Sequence, residues 1–266
     1  MNLLFHHQGK LAYVRKGVGK EVYLIFHGFG QTHRDMLALD QIRKPGQKFL
    51  FIDLFYYGGS QWASSARILT KSIWQELIEG LQVQEDFQGF HLIGYSMGGK
   101  FSHLTFELFS EQVKSLTLIA PDGIKTGLWY SMSSYPNYFH PFFKRVIFKP
   151  QRFFGIMEGL NSAGWVEKSL VKFVKSQMET RSKRAQAYFV WKVFGGIQLH
   201  LGKIIRLARK HPTSMTLFIG EYDKMVTAQN LLHFSSKIPH LQMIILPAGH
   251  GGLVEAAALF LGSEKA

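Results

Sequence analysis

The stretch GFHLIGYSMGGKF, residues 89–101, passes within a few positions from an apolar run to a single serine and then to a pair of glycines. Its first half, FHLIGY (90–95), is continuously apolar, as expected of a strand that is buried on both faces of a parallel sheet. Beyond the serine, apolar residues recur at the spacing of one helix face: Met97, Phe101, Leu104 and Leu108. Gly94 and Gly98 leave room for a sharp bend between strand and helix. The stretch therefore predicts a strand–turn–helix unit that presents the hydroxyl of Ser96 at its turn.

Five further apolar runs, rich in β-branched and aromatic residues, have the same character. They are EVYLIF (21–26), KFLFIDL (48–54), SLTLIA (115–120), MTLFIG (215–220) and LQMIIL (241–246). Residues 66–82 carry apolar side chains at helical spacing, and residues 3–17 have the pattern of a hairpin that turns at Gln8-Gly9. Strands that alternate with helices predict an α/β fold, with a mostly parallel central sheet between layers of helices.

The alternation of strands and helices stops near Pro121, and strand-like runs resume at Thr213. The intervening segment is aromatic and basic, with 13 Lys or Arg against four acids between residues 121 and 203. Its clearest predicted helix covers residues 169–194. We therefore expect a helical cap, residues 121–205, inserted in a core that consists of residues 1–120 and 206–266.

The composition excludes several kinds of site. The chain has no cysteine, which excludes disulfides, thiolate metal sites and cysteine nucleophiles. Residues 1–10 have too short an apolar stretch for a signal peptide, and residues 127–143 are too polar for a membrane span, so we expect a cytoplasmic protein. The net charge of +13 suits a nucleic acid, an anionic membrane surface or an anionic substrate as well as a solvated basic surface. No nucleic-acid recognition motif is present, and we expect no nucleic-acid partner.

Chemically useful side chains follow three of the predicted strands. Ser96, Asp223 and His250 each come at or just after the end of a separate apolar run. Because the carboxyl ends of parallel strands meet at one edge of a sheet, we expect these side chains to lie close together. A serine hydroxyl becomes a good nucleophile when an imidazole takes its proton, and a carboxylate fixes the tautomer of that imidazole. The pattern predicts Ser96 as nucleophile, His250 as base and Asp223 as the acid that orients it.

A hydroxyl that attacks a carbonyl also needs backbone donors for the oxyanion that forms. The N–H of Met97 lies at the start of the predicted helix, where partial positive charge favours an anion. The second predicted donor is the N–H of Phe29, in the HGFG loop (27–30). Such a mechanism needs neither a metal nor an organic cofactor, and we predict none. The pair His6-His7 has no acid at a spacing that suggests a metal site, and His27 and Asp53 are predicted to hold loops.

These motifs resemble those of the α/β-hydrolase superfamily. The nucleophile elbow G-x-S-x-G is present as residues 94–98, and the chain order serine, acid, histidine also matches. The resemblance covers most of the chain and implies a sheet of about eight strands, an inserted cap, and cleavage of a carboxylic ester or thioester through an acyl-enzyme. Two departures blur the subfamily: LFYYGGSQW (54–62) replaces a Pro-Gly-aromatic-Gly turn, and Asp223 lacks the proline that often follows the family acid.

Several alternatives stay open. Asp122 also follows a predicted strand, and some family members place the acid there, so Asp122 competes with Asp223. Relatives with the same triad catalyse C–C bond hydrolysis or cofactor-free peroxidation, and a relative can also bind a ligand without turnover. The resemblance implies a small-molecule substrate with an apolar acyl group; natural substrate, oligomeric state and peripheral membrane contact through the basic cap stay undetermined. The aromatic residues of the cap either line an acyl pocket or form the cap's own core: Trp129, Tyr130, Tyr135, Tyr138, Phe139, Phe142 and Phe143.

Overall fold

A computed structural model of the chain describes residues 1–63, 68–124, 140–211 and 213–263. The chain forms two compact units. The first comprises Met1–Ser64, Thr70–Lys125 and Leu199–Ala266, and the second comprises Ser65–Leu69 and Thr126–Gln198. These units differ from the boundaries expected from the sequence, since residues 199–205 group with the first unit and residues 65–69 with the second.

The first unit is built on a single sheet. Its strands are β1 (Asn2–His6), β2 (Gly9–Lys16), β3 (Glu21–Phe26), β4 (Gln47–Ile52), β5 (Gln61–Trp62), β6 (Phe90–Tyr95), β7 (Val113–Ile119), β8 (Ser214–Gly220) and β9 (Leu241–Leu246). The order is β1-β2-β4-β3-β6-β7-β8-β9, with the short β5 paired to β2. The strands from β4 to β9 along this order are parallel, whereas β2 pairs antiparallel with both β1 and β4. The expected α/β fold with a mostly parallel sheet of about eight strands is confirmed.

The register of the parallel strands brings their ends to one edge of the sheet. Phe26 pairs with Gly94, Tyr95 with Ile119, and Ile119 with Phe218. Between β8 and β9, Gly220 pairs with Leu246, and these residues end the two strands. Since these pairs are the last in their ladders, the loops that follow β3, β6, β7, β8 and β9 all begin at the same edge.

Helices connect the strands and form most of the second unit. They are α1 (Lys71–Glu85), α2 (Met97–Phe109), α3 (His140–Phe148), α4 (Gln151–Ser162), α5 (Lys168–Gln177), α6 (Arg181–Phe194), α7 (Leu201–Lys210), α8 (Ala228–Ser235) and α9 (Leu253–Ser263). Two 3₁₀ segments, His33–Ile42 and His250–Gly252, complete the described elements. Within the described ranges, no helix combines the length and the apolar character needed to cross a lipid bilayer.

Two helix predictions need correction. The helix predicted from residue 66 begins at Lys71, because the Thr70 side chain accepts a hydrogen bond from the N–H of Ile73 and caps the helix. The single helix predicted over 169–194 is two helices, α5 and α6. Thr180 caps the start of α6, and the buried guanidinium of Arg184 donates to the carbonyl oxygens of Met178 and Glu179 at 2.9 Å. These bonds satisfy the peptide groups that the break leaves without helical partners.

The second unit has a hydrophobic core of its own. Its buried members come from α3, α4, α5 and the residue that follows α5: Val146, Phe153, Met157, Val171, Val174 and Met178. Side chains of α6, among them Tyr188 and Trp191, pack against this cluster. The helices of this unit are therefore held by burial of apolar surface among themselves.

Candidate active site

The turn between β6 and α2, which carries the predicted nucleophile Ser96, has a strained backbone. Ser96 adopts φ 49° and ψ −117°, a conformation that a residue with a side chain rarely takes. Hydrogen bonds on both sides hold it there. Its N–H donates to the carbonyl oxygen of Ile119 at 2.9 Å, and its own carbonyl oxygen accepts from Gly99 at 2.8 Å and Asp122 at 2.9 Å. The backbone therefore keeps the Ser96 side chain at the strand-end edge of the sheet.

The glycines on either side of Ser96 are required by close backbone contacts. A Cβ atom at Gly98 would lie 2.1 Å from the carbonyl oxygen of Phe26, at the end of β3. A Cβ atom at Gly94 would lie 2.3 Å from Oγ of Ser102 and 2.6 Å from the carbonyl oxygen of Gly98. Any side chain at these positions would push the elbow away from β3 or from its own helix. The two glycines thus allow the sharp bend that the sequence predicted.

Ser96, His250 and Asp223 form a continuous chain of hydrogen bonds. Nε2 of His250 lies 3.2 Å from Oγ of Ser96, and Nδ1 lies 2.7 Å from Oδ2 of Asp223. Because a carboxylate only accepts, Nδ1 of the neutral ring carries the proton and Nε2 presents its lone pair to the serine hydroxyl. This arrangement is the one that a serine nucleophile and its base require.

The Asp223 carboxylate is buried and held in place by the backbone that follows it. Its Oδ1 accepts from the N–H of Met225 at 2.7 Å and of Val226 at 3.0 Å. Burial acts to raise the pKa of Asp223, but the hydrogen bond and charge of His250, with those two N–H groups, lower it below its ordinary value. The carboxylate is therefore ionised at neutral pH, and the turn is held without the proline expected from the resemblance.

Asp122, the competing acid, lies beside the elbow but is not hydrogen-bonded to His250. Its Oδ1 accepts from the N–H of Gly123 at 2.8 Å, and its own N–H is the group that donates to Ser96. Burial raises the pKa of Asp122 above its ordinary value, and the charge of Lys100 opposes that rise. Of the two candidate acids, the structure brings Asp223 to the imidazole.

Lys100 was not singled out from the sequence, and it is almost completely buried. It lies in the first turn of α2 with 8% of its surface exposed. Burial lowers its pKa to about 8, and the charge of Asp122 acts in the opposite direction. A single lysine in an amphipathic helix gives no sequence signal of burial, because long charged side chains usually reach solvent.

The predicted oxyanion donors lie on two segments that touch. Met97 is the first residue of α2, and Phe29 lies in the loop after β3 with its ring edge-on to Tyr57. The position of Gly98 against the carbonyl oxygens of Phe26 and His27 brings that loop against the start of α2.

Buried polar groups hold the loop that carries Phe29. The ring of His27 accepts from the N–H of Leu54 at 3.0 Å through Nε2, and Nδ1 donates to the carbonyl oxygen of Gly28 at 2.7 Å. Complete burial lowers the pKa of His27 to about 4, so the ring is neutral. The Asp53 carboxylate accepts from the N–H and the Nδ1 of His33 and from the N–H of Gly59. His27 and Asp53 therefore hold loops, as predicted from the sequence.

Tyr95 also belongs to this site and was not singled out from the sequence. Its hydroxyl donates to the carbonyl oxygen of His250 at 2.8 Å, and its ring lies 5.3 Å from the imidazole. The same ring contacts the position of Gly28, where a Cβ atom would lie 3.0 Å away. The Tyr95 side chain thus contacts both the turn at His250 and the loop after β3, and helps to hold them in place. It occupies a variable position of G-x-S-x-G, which explains why the motif gives no signal for it.

The prediction that no acid accompanies His6 and His7 was wrong. An acid does lie close to them: Glu76 of α1, whose carboxylate comes within 4.8 Å of the ring nitrogens of both histidines. Oε2 of Glu76 is 2.9 Å from Nε2 of His6, while Nδ1 of His6 accepts from the N–H of Gln8 at 3.2 Å. Nδ1 is therefore unprotonated and Nε2 donates to Glu76, so the nitrogen nearest the carboxylate carries a proton rather than a free lone pair. The contact as it stands joins β1 to α1.

The aromatic residues suggested as an acyl pocket cannot be placed. Trp129, Tyr130, Tyr135, Tyr138 and Phe139 lie outside the described residues, as do the side chains of Phe142 and Phe143.

Known proteins resemble this chain over nearly its whole length. Lipase 1 of Psychrobacter immobilis is 26% identical over 261 residues, which cover 93% of this chain and 77% of the lipase. A thermophilic esterase from Thermogutta terrifontis superposes with a TM-score of 0.70 at 16% identity, covering 97% of this chain and 92% of the esterase. The haloalkane dehalogenase DatA from Agrobacterium tumefaciens C58 superposes with a TM-score of 0.67 at 13% identity, covering 99% and 94% of the two chains. The two structural matches, at these identities, bear on the fold alone.

The profile of one sequence family spans the elbow, both candidate acids and the candidate base. This family, described as the alpha/beta hydrolase fold, matches residues 22–257. The match extends from the start of β3 into α9 and includes the sheet edge at which Ser96, Asp223 and His250 meet. The chain belongs to the alpha/beta hydrolase fold family.

Proposed function

We propose that this protein is a serine hydrolase that cleaves a carboxylic ester or thioester through an acyl-enzyme intermediate. One observation carries the proposal: the hydrogen-bond chain from Oγ of Ser96 through His250 to the ionised Asp223, at 3.2 Å and 2.7 Å. An inert turn serine would need neither the strained φ of 49° nor a histidine whose other nitrogen is held by a buried carboxylate.

The proposed reaction begins with attack of Oγ of Ser96 on the carbonyl carbon of the substrate. Nε2 of His250 takes the hydroxyl proton, and Asp223 stabilises the imidazolium that results. The tetrahedral intermediate expels the alcohol or thiol, which receives that proton from His250, and leaves the acyl group on Ser96. Water then repeats the sequence: it gives a proton to His250, attacks the acyl carbon, and releases the carboxylic acid as Ser96 regains its proton.

The oxyanion would be stabilised by the backbone N–H groups of Phe29 and Met97. Met97 lies at the start of α2, where peptide dipoles favour negative charge. The loop of Phe29 is anchored by His27 and by the Asp53–His33 contacts, so its N–H is preorganised before substrate arrives. Removal of one such donor typically costs about 10²–10³ in rate.

The choice of an ester or thioester rests on two further points. The lipase relative named above is 26% identical in an alignment that covers 93% of this chain. Position 96 is serine, whereas the family uses an aspartate at the elbow for haloalkane dehalogenation. An apolar acyl group is proposed from the composition of residues 127–143, which are rich in aromatic side chains.

The proposal is tested with p-nitrophenyl esters of increasing chain length and a fluorophosphonate probe. Wild type and the surface variant Ser236→Ala should hydrolyse the esters and take up the probe, whereas Ser96→Ala should do neither. The expected loss of kcat for Ser96→Ala is at least about 10⁴-fold. Turnover that survives in Ser96→Ala would contradict the assignment of the nucleophile.

The outcomes also separate the alternatives. Labelling of Ser96 without ester turnover would indicate a different carbonyl substrate, such as one for C–C bond hydrolysis. A folded wild-type protein that neither turns over esters nor takes up the probe would indicate a ligand-binding relative instead.

A further inference from the structure

The turn between α4 and α5 places a tryptophan in solvent. Trp165 has 74% of its surface exposed, which is unusual for the largest apolar side chain. The turn around it is nevertheless well bonded. The N–H of Trp165 donates to the carbonyl oxygen of Leu160 at 2.9 Å, and the side-chain amide of Asn161 donates to that of Val166 at 2.7 Å. The tryptophan is therefore presented to solvent from a bonded turn.

Lysines follow this tryptophan closely in the sequence, on one face of α5. Lys168, Lys172 and Lys175 are spaced by four and three residues, so they lie on the same side of the helix, and all three are exposed. Lys175 is paired with Glu158 of α4. Over the described residues, neither Lys168 nor Lys172 forms an ion pair with a carboxylate. The two lysines that follow the tryptophan most closely in the sequence are thus available to an external anion.

The rest of the second unit has the same charge sign. Residues 140–198 contain eleven Lys or Arg and three Glu. Ile156 on α4 is also 53% exposed. Excess positive charge attracts any polyanion, but it does not account for a tryptophan held in solvent. Indole side chains prefer the boundary between water and lipid, and lysines beside them attract anionic headgroups.

We propose that the α4–α5 hairpin (Gln151–Gln177) docks on the surface of an anionic lipid bilayer, with Trp165 inserted at the headgroup level and Lys168 and Lys172 contacting the headgroups. One partner explains both the exposed indole and the unpaired lysines, whereas a DNA duplex, whose bases are already stacked, would use only the lysines. The docking does not depend on the proposed catalysis and can be measured in its absence.

The test is sedimentation of the full chain with vesicles of phosphatidylcholine alone or with phosphatidylglycerol. Wild type should bind the anionic vesicles and not the neutral ones, and salt should weaken the binding. Trp165→Ala should weaken binding about tenfold or more. The double variant Lys168→Gln/Lys172→Gln should weaken it about 25-fold, since each lysine near such a surface contributes about fivefold.

A matched control is present in the first unit. Between β2 and β3, Val18 is 78% exposed and lies between the exposed residues Lys16 and Lys20. The triple variant Lys16→Gln/Val18→Ala/Lys20→Gln removes the same number of charges and one apolar side chain, and it should bind vesicles like wild type. If this triple variant loses vesicle binding as much as Lys168→Gln/Lys172→Gln does, net charge alone drives binding and the proposal is overturned.

Tryptophan fluorescence gives a second measurement, and a purely electrostatic attraction to vesicles would leave its emission wavelength unchanged. The emission that wild type has and Trp165→Phe lacks should shift to shorter wavelength when anionic vesicles are added. Absence of vesicle binding at low salt would overturn the proposal. Two other results would overturn it as well if they are found in place of vesicle binding. One is binding of duplex DNA that depends on the lysines but not on Trp165, and the other is a dimer that depends on Trp165.

Discussion

The loops that follow β7 and β8 each carry an aspartate at the same edge of the sheet, yet their carboxylates have different surroundings. Asp223 accepts from two backbone N–H groups and from His250, and these donors lower its pKa. Asp122 accepts from Gly123, and burial raises its pKa. A carboxylate at a strand end is thus suited to orient a histidine only when donors stabilise its charge. The backbone N–H of Asp122 instead donates to the carbonyl oxygen of Ser96.

The largest expected difference between the two aspartates is in catalysis. Asp223→Asn should lower kcat/KM by about 10⁴-fold, because an amide beside Nδ1 no longer holds the imidazole in the required tautomer. Asp122→Asn should lower kcat/KM less than about tenfold, because its backbone N–H still donates to Ser96. Steady-state kinetics of both variants on the same p-nitrophenyl ester measures this contrast. The reverse ranking would assign the acid to Asp122.

A smaller effect is expected on the pH dependence of stability, with opposite signs at the two sites. The pKa of Asp223 is lowered in the folded state, so its stabilisation is present above the ordinary value of 3.8 and is lost as the pH falls through the folded pKa. The pKa of Asp122 is raised, so the folded protein gains stability from this group as the pH falls through that raised pKa toward 3.8.

Thermal unfolding between pH 3 and pH 7 measures these slopes. The Tm difference between wild type and Asp223→Asn should shrink as the pH falls, while wild type should gain in Tm relative to Asp122→Asn. Slopes of the same sign for both variants would contradict the assigned surroundings.

The smallest expected effect concerns the hydrogen bond from the Tyr95 hydroxyl to the backbone of His250. Tyr95→Phe removes the hydroxyl that donates to the carbonyl oxygen of His250 at 2.8 Å and leaves the ring in place. We expect kcat to fall about threefold to tenfold, which corresponds to the ~1 kcal/mol of one hydrogen bond. As a control, Tyr222→Phe changes an exposed tyrosine beside Asp223 and should leave kcat unchanged. Equal decreases in kcat for the two variants would contradict the role assigned to the Tyr95 hydroxyl.

Much of the fold could be predicted because its signals are local. The runs at 21–26, 90–95 and 241–246 match β3, β6 and β9 residue for residue. Helix ends were harder, since they depend on single contacts. The break before α6 is made by the Thr180 cap and by Arg184, whose guanidinium reaches carbonyl oxygens five and six residues before it. Apolar spacing continues through such a break, and spacing alone therefore predicts one long helix.

The sequence by itself determined the alternation of strands and helices, the bend at Gly94 and Gly98, and the candidates Ser96, Asp223 and His250, because periodicity and glycine placement act over a few residues. Only the tertiary structure decided that Asp223 rather than Asp122 meets His250, and that the hydroxyl of Tyr95 reaches a carbonyl 155 residues away. Such contacts follow from the strand order β4-β3-β6-β7-β8-β9, in which crossover connections make distant segments neighbours.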